Sequence, residues 1–115
     1  MSGNERYDYF IRKIADFEEV WGLFNDGWAM IEDSTGKRGI PFWPEEDFAK
    51  LCSKNEWCAY SPKKIELDAF IDKWIPGMKN DGLSLAIFQT PENKGIFVES
   101  DLILSDLENE LEQYE

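Results

Sequence analysis

Two apolar runs on either side of a polar turn constrain the fold of this chain more than any other stretch. The first run covers residues 28–31, and the second covers residues 39–43. Between them lies Asp33-Ser34-Thr35-Gly36, whose short polar side chains and glycine supply the chemistry of a tight turn. The pattern predicts a β-hairpin, onto which we expect the other helices and strands to pack.

The first two amphipathic helices are indicated by apolar residues at alternating spacings of three and four. Asn4 is a suitable cap for the first helix, which we expect to end near Val20. Pro44 fits the first position of the second helix, where its missing N–H is not needed, and this helix should fray by about Asn55. The predicted inner faces are Tyr7, Phe10, Ile11, Ile14 and Phe17 in the first helix, and Phe48, Leu51 and Cys52 in the second.

Two further helices are expected in the second half of the chain. Asp68 is a plausible cap for the third, and Pro76 should kink or restart it, because proline removes a backbone hydrogen bond and clashes with the preceding turn. Gly82 then closes this segment. Ser100 caps the fourth helix, and a capping box at Ser105 leaves a later start open. The predicted inner faces are Phe70, Ile71, Trp74, Ile75 and Met78 in the third helix, and Ile103, Leu104, Leu107, Leu111 and Tyr114 in the fourth.

The remaining apolar segments have the composition of strands. Residues 20–24 lead into a turn at residues 25–27, where we expect Gly27 to take positive φ. Residues 64–67 alternate polar with apolar, as in a half-buried strand. Residues 83–89 are apolar on both faces, which favours the middle of a covered sheet, and residues 96–98 return as their hairpin mate.

This order of elements, α-β-β-β-α-β-α-β-β-α, predicts one α+β domain over residues 1–115. We expect a predominantly antiparallel sheet packed by about four amphipathic helices. A chain of 115 residues with 43% hydrophobic content is long enough for one such core. The C-terminal helix, from about residue 100, is acidic, because the segment 99–115 holds seven acids and no lysine or arginine.

The charge balance narrows the choice of partners. A net charge of −12, from 24 acidic and 12 basic residues, repels nucleic-acid phosphates and anionic lipid surfaces. The same field speeds the encounter with a basic protein, although acidity also serves solubility alone. No apolar run approaches the roughly 20 residues of a membrane span, and no signal sequence is recognisable, so we expect a cytoplasmic protein.

Catalytic side chains are scarce in this sequence. The chain has no histidine, which removes histidine triads and histidine metal sites. Cys52 continues an apolar stripe and reads as a buried thiol, whereas Cys58 is less constrained; both are expected to be reduced. We therefore expect no catalytic residue, cofactor or metal. The acids that can supply paired carboxylates are Asp26, Glu32, Asp33, Glu45, Glu46 and Asp47.

Four aromatic residues near prolines are candidate partner-binding residues. Trp43, Trp57, Tyr60 and Trp74 lie at the predicted ends of elements, where aromatic side chains can line a groove for a peptide or a partner loop. The alternative is that these rings seal the core where helices cross the sheet.

Several motifs, taken together, resemble one known family. They are Gly27-Trp28-Ala29, Pro41-Phe42-Trp43-Pro44, Trp57 and Tyr60 before Pro62, Ile65-Glu66-Leu67 with Phe70, Trp74-Ile75-Pro76-Gly77, and the two ends Tyr7-Asp8-Tyr9-Phe10 and Leu111-Glu112-Gln113-Tyr114-Glu115. This set resembles a small bacterial family catalogued as a domain of unknown function, number 2750. The resemblance implies a single-domain cytoplasmic bacterial protein, and it brings no catalytic residue, cofactor or activity.

Two classes of function follow from these observations. The first is a non-enzymatic acidic cytoplasmic protein that binds a protein partner, in an immunity-like or regulatory role. An inhibitor that neutralises a basic toxin is one concrete form of it. The alternative is a small hydrolase or small-ligand-binding protein, with carboxylates or Cys58 in a tryptophan-lined pocket.

Overall fold

The order of elements in the structure is the one that the sequence predicts. The structure is a computed structural model that describes residues 2–113. Its helices are α1 (Gly3–Phe17), α2 (Glu46–Leu51), α3 (Leu67–Ala69), α4 (Ile75–Asp81) and α5 (Ser100–Glu112), with a 3₁₀ turn at Asn55–Trp57 and a π-helical turn at Phe70–Trp74. Its strands are β1 (Glu19–Phe24), β2 (Ile31–Glu32), β3 (Arg38–Phe42), β4 (Ser61–Glu66), β5 (Ser84–Ile87) and β6 (Ile96–Val98). The predicted α+β class is confirmed.

The strands of the described residues form two sheets. A four-stranded sheet has the order β2-β3-β5-β6, and β1 pairs with β4 in a two-stranded sheet. Three of the strand pairs are antiparallel, and β3 with β5 is parallel. The backbones of Trp21 and Trp43 exchange hydrogen bonds of 2.9 and 2.8 Å, which join β1 to the end of β3.

The predicted hairpin between residues 28 and 43 is confirmed, but its first strand is short. Ile31 pairs with Gly39 and Glu32 with Arg38. The residues before Ile31 bond to β1 instead, since Ala29 N–H donates to the carbonyl of Leu23 at 2.9 Å. In the turn at residues 25–27, Asp26 adopts the left-handed conformation, with φ of 56°, whereas Gly27 was expected to do so.

Strand β5 lies inside its sheet, as its two apolar faces predict. Leu85, Ala86, Ile87 and Phe88 are all fully buried. The strand runs parallel to β3 on one side and antiparallel to β6 on the other, so the predicted hairpin with residues 96–98 is also confirmed. Strand β4 begins earlier than expected and ends at Glu66, and Leu67 already begins a helix.

Helix α1 begins and ends at other residues than those predicted. Ser2 and not Asn4 is its cap, because Ser2 and Glu5 form a capping box. The helix ends at Phe17, since Glu18 adopts a left-handed conformation with φ of 58°. Phe17 is 51% exposed at this end, with the Lys13 ammonium 5.0 Å from its ring centre, so its predicted inward position is wrong.

Helix α2 is shorter than predicted. Pro44 precedes the N-cap Glu45, so Pro44 is not the first helical residue. The helix ends at Leu51, and the side chains that face the core are Phe48, Ala49 and Cys52, of which Phe48 and Cys52 were predicted. Leu51 is 53% exposed, which corrects its assignment to the inner face.

The third helical segment shows the expected disturbance at Pro76. Helices α3 and α4 are joined by the π-helical turn, in which Ile75 N–H bonds to the carbonyl of Phe70. This wider turn suits a proline that cannot donate and that crowds the preceding carbonyls. The segment begins at Leu67, so Asp68 is not its cap, and Gly82 ends it with φ of 71°, as predicted.

Helix α5 is one continuous helix. It begins at Ser100, and its N-cap is Glu99 and not Ser100; the alternative start at Ser105 is wrong. Ile103 and Leu107 are fully buried, as predicted for its inner face. The prediction for Tyr114 falls outside the described residues.

The helices contact one another around α5. Helix α5 lies against both α1 and α4, while α2 packs on β1 and β4. No helix within residues 2–113 is both long and apolar enough to cross a bilayer. Among the depressions that this arrangement leaves, one beside α5 is acidic and one beside α4 is apolar.

Candidate functional site

The four candidate aromatic residues do not form one surface. Trp43 is fully buried and Trp57 is 6% exposed, with their ring centres 6.2 Å apart in an edge-to-face contact. Trp43 Nε1 donates to the carbonyl of Gln89 at 2.7 Å. These two residues belong to the core, so their assignment to a partner surface is corrected.

Trp74 lies in a separate aromatic group on the other side of β3. Its ring centre is 4.8 Å from that of Trp28 and 5.7 Å from that of Phe42. Phe42 and Trp43 are adjacent, and neighbouring strand residues face opposite ways, which explains why Trp43 and Trp74 are kept apart. Trp74 and Tyr60 are half-buried, and their role in partner binding stays a prediction.

Trp74 lines an open apolar groove between α4 and the four-stranded sheet. This groove, here called the Trp74 groove, has a volume of about 270 Å³. Its lining comprises Ile40, Lys73, Trp74, Gly77, Met78, Asp81 and Leu83. With one carboxylate among these residues, the groove is better suited to apolar contact than to acid–base chemistry.

The second depression is an acidic cleft between α1 and α5. It has a volume of about 370 Å³. Its lining, which defines the acidic cleft, comprises Tyr7, Asp8, Ile11, Arg12, Asp106 and Glu110. Three carboxylates therefore stand against one guanidinium, and a tyrosine and an isoleucine form the apolar part.

Helical spacing explains why these side chains converge. Residues four apart lie on the same face of a helix, which brings Asp8 near Arg12 on α1 and Asp106 near Glu110 on α5. The two helices pack together, with Ile11 buried from α1 and Leu107 from α5. The cleft is the polar border of this packed apolar contact.

A short hydrogen bond crosses the cleft. The Tyr7 hydroxyl donates to the Asp106 carboxylate at 2.5 Å. Burial of the phenol, followed by this hydrogen bond to a carboxylate, raises the pKa of Tyr7 above its ordinary value of 10.0. Tyr7 therefore stays protonated and fixes Asp106, which leaves Asp8 and Glu110 at the rim.

The chemistry of the cleft suits a basic side chain. Lysine and arginine lay their aliphatic stems on apolar surface and keep their charged heads at carboxylates. Ile11 and the Tyr7 ring offer the apolar surface, and Asp8, Asp106 and Glu110 offer the acceptors. Arg12 Nε already donates to the carbonyl of Asp8 at 3.4 Å, so the side-chain carboxylate of Asp8 is not used in that contact.

Sequence reasoning did not find this site. Asp8 and Asp106 lie 98 positions apart, and each alone reads as part of a solvated helix face. The one available signal was the run of acids without bases after residue 99, which indicated an acidic helix but not the face that α1 covers.

Two of the carboxylates considered for the hydrolase alternative accept hydrogen bonds within the fold. Asp33 Oδ1 accepts hydrogen bonds within its own turn from Thr35 and Lys37, and Glu45 accepts one from the Tyr9 hydroxyl at 2.7 Å. Burial raises the pKa of the Cys52 thiol, whereas Cys58 is exposed. In the part of the chain that the structure describes, no three His, Cys, Asp or Glu side chains are grouped to hold a metal ion.

Comparison with known proteins gives one match. A family model described as a protein of unknown function, DUF2750, matches residues 7–107. No curated protein and no solved structure matches this chain. The matched segment includes both walls of the acidic cleft up to Leu107, and also the whole of the Trp74 groove. Since the family model covers most of its length, the chain belongs to the DUF2750 family.

Proposed function

We propose that this chain is a non-enzymatic, cytoplasmic bacterial protein that binds a basic segment of a protein partner in the acidic cleft between α1 and α5. The observation that carries the proposal is the cleft itself, in which three carboxylates outnumber the single guanidinium of Arg12 around an apolar floor. An acidic cluster on a flat surface would attract cations without orienting them, whereas this cleft offers a place for a side chain.

The charge of the whole molecule supports the same class of partner. A net charge of −12 draws a basic protein toward the chain and repels nucleic acid and anionic membranes. Helix α5 adds to this attraction, because Ser100–Glu112 holds five acids and no lysine or arginine. Long-range attraction then brings the partner, and the cleft selects its basic side chain.

The contact at the floor of the cleft distinguishes a specific site from general attraction. Ile11 is 5% exposed and packs within the core, and the Tyr7 hydroxyl holds Asp106. A basic side chain that enters meets the Asp106 carboxylate in a position that is already fixed, with Asp8 and Glu110 beside it at the rim. Preorganised acceptors lose less conformational entropy on binding than mobile surface acids do.

The function is an inhibitory or regulatory one under this proposal. An acidic protein can cover the cationic surface of a basic enzyme, such as a toxin that binds nucleic acid, and an immunity-like role is one form of it. The acidic cleft would then hold one lysine or arginine of that enzyme, and the surrounding acids would face the rest of its basic surface.

Two matched variant pairs test the proposal. The cleft pair is Asp8→Asn with Glu110→Gln, and the control pair is Glu56→Gln with Glu92→Gln, at exposed positions outside the cleft. Each pair removes two negative charges, so long-range attraction is weakened equally. Asp106 stays intact, which preserves its hydrogen bond to Tyr7.

The measurement is affinity capture from native bacterial lysate, followed by washes at rising salt. We expect the wild type and the control pair to retain the same basic protein. The affinity of the cleft pair for that protein should be at least about tenfold lower, so that the washes remove it. Equal loss with both pairs would mean that net charge alone governs binding. Capture of no basic protein by the wild type would also contradict the proposal.

A further inference from the structure

Gly77 on α4 faces open space within the part of the chain that the structure describes. A Cβ atom at this position would meet nothing within 4 Å. Its φ is not positive, so no left-handed conformation requires glycine here. Glycine in a helix is less favourable than alanine, because its backbone loses more freedom on folding. The fold alone therefore gives no reason for glycine at this exposed position.

The consequence of Gly77 is an open wall in the Trp74 groove. A side chain at residue 77 would project into the groove, whose floor is formed by apolar groups of Trp74, Met78 and Ile40. Met78 and Ile40 are buried, and Trp74 is half-buried. The backbone of α4 is thus accessible to another helix beside the half-buried ring of Trp74.

Two opposite charges stand at equal sequence distance on either side of Gly77. Lys73 and Asp81 each lie four residues away, and both line the groove. Lys73 lies in the π-helical turn and Asp81 at the end of α4, and both line the same groove as Gly77, so the three residues follow one side of the segment 73–81. Neither Lys73 nor Asp81 takes part in the ion pairs formed within residues 2–113. Their charges are therefore available to a partner.

From this arrangement we infer that the Trp74 groove binds a second copy of the same chain. Two α4 helices packed antiparallel about a two-fold axis at Gly77 bring Lys73 of each copy to Asp81 of the other. The pattern plus, glycine, minus is self-complementary, as a two-fold interface requires. Each Gly77 lets the helix axes approach closely, and the Trp74 side chains cover one another at the centre.

The self-complementary charge pattern favours a second copy over a basic protein. Lys73 at the groove would repel a basic partner, and Asp81 would repel an acidic one. An identical surface pairs each of these residues with an opposite charge. Two copies that each carry a net charge of −12 repel one another, so the dimer is expected to be weak and reversible. At a salt concentration of about 0.15 M, charges more than about 8 Å apart are largely screened from one another, whereas the close pairs of Lys73 with Asp81 still attract.

Complementary charge reversal tests the inference. Lys73→Glu makes both pairs acid against acid, and Asp81→Lys makes both pairs base against base. When the two variants are mixed, the heterodimer regains two attractive pairs. We expect sedimentation equilibrium to show concentration-dependent dimerisation for the wild type, at least about tenfold weaker self-association for each variant, and restored association of the mixture.

Gly77→Gln supplies an independent variant. Glutamine is a good helix former, and space is open at this position, so we expect the protomer to fold with an unchanged or higher Tm while dimerisation is lost. A wild type that stays monomeric at all concentrations would overturn the inference. So would a dimer that tolerates Gly77→Gln, or single charge variants that do not associate when mixed.

Discussion

The hydroxyl of Tyr7 and the carboxylate of Asp106 lie 2.5 Å apart, which joins the first helix of the chain to the last. The two residues are separated by nearly the whole sequence, and their contact closes the molecule on the side of the acidic cleft. Asp106 is held here by a neutral phenol and not by a base, so its negative charge remains part of the electrostatic field of the cleft.

Replacement of Tyr7 by phenylalanine should destabilise the protein without disturbing its core. The ring remains, while Asp106 loses a donor that water replaces only in part. We expect the free energy of unfolding to fall by about 1.5–3 kcal/mol, as is typical of a hydrogen bond to a charged group. Urea denaturation measures this value. An unchanged midpoint would show that the bond contributes nothing to stability.

Arg6 is a second link from α1, and its removal should be more costly. The side chain is 6% exposed, and its Nε and Nη2 atoms donate to the carbonyls of Phe88 and Lys94, both at 3.1 Å. These carbonyls lie at the two ends of the β5–β6 connection, and Phe88 holds an unfavourable φ of 55°.

Arg6→Met is expected to lower the free energy of unfolding by about 2–4 kcal/mol, because two charge-assisted hydrogen bonds are lost and two carbonyls are left without their donors. Amide hydrogen exchange should accelerate most in residues 88–95. Arg6→Lys keeps the charge but lacks the planar fork, so a smaller loss is expected. If the amides of residues 88–95 exchanged in Arg6→Met at the same rates as in the wild type, this role for Arg6 would be contradicted.

Gly39 pairs with Ser84 at the first position of the parallel ladder between β3 and β5. A Cβ atom at this position would lie 2.9 Å from the backbone oxygen of Ser84 and 3.2 Å from the Phe97 ring. A backbone oxygen cannot move away from this clash as the end of a flexible side chain can. Gly39→Ala should therefore lower the free energy of unfolding by about 1–3 kcal/mol. Gly27→Ala is the matched control, because a Cβ atom added at that position would have no neighbour within 4 Å. Its free energy of unfolding is expected to stay within about 0.5 kcal/mol of the wild-type value. Similar losses in both variants would refute the steric explanation.

Alkaline pH should weaken the fold through two tyrosines of α1. Burial, with the hydrogen bond to Glu45 second, raises the pKa of Tyr9 to about 12, and the pKa of Tyr7 is raised as well. A folded-state pKa above the unfolded value of 10.0 contributes stability that is complete below pH 10 and is lost as the pH rises toward 12.

Denaturation with urea at several pH values between about 9 and 11 checks this expectation, because the slope of stability against pH reports the difference in bound protons. The double variant Tyr7→Phe with Tyr9→Phe should have a shallower slope. A slope that is the same for both proteins would assign the alkaline loss to other groups.

Features set by neighbouring residues were predictable from the sequence. The turn at residues 33–36, the left-handed Gly82 and the disturbance at Pro76 each depend on the conformational limits of one or two residue types. The caps were placed one or two positions wrong, because several polar residues stand near each helix start. Ser2 is chosen over Asn4 because Glu5 completes its capping box.

Features that depend on distant contacts were not predictable. Strand β2 is short because the residues before it bond to β1, and the hydrophobic pattern does not choose between these partners. Trp43 and Trp74 look equivalent beside their prolines, yet Trp43 lies in the core while Trp74 lines a groove. The acidic cleft forms only because α1 and α5 lie side by side, and the sequence of neither helix predicts that it contacts the other.

In the proposed function, the acidic cleft, and not acidity in general, receives a basic side chain. Titration of the protein with an arginine-containing peptide, followed by amide nitrogen–proton correlation spectra at physiological salt, distinguishes the two. We expect saturable shifts that are largest at Asp8, Ile11 and Glu110, with little change near Glu56 and Glu92. Shifts of equal size at Glu56 and Glu92, or shifts that do not saturate, would contradict it.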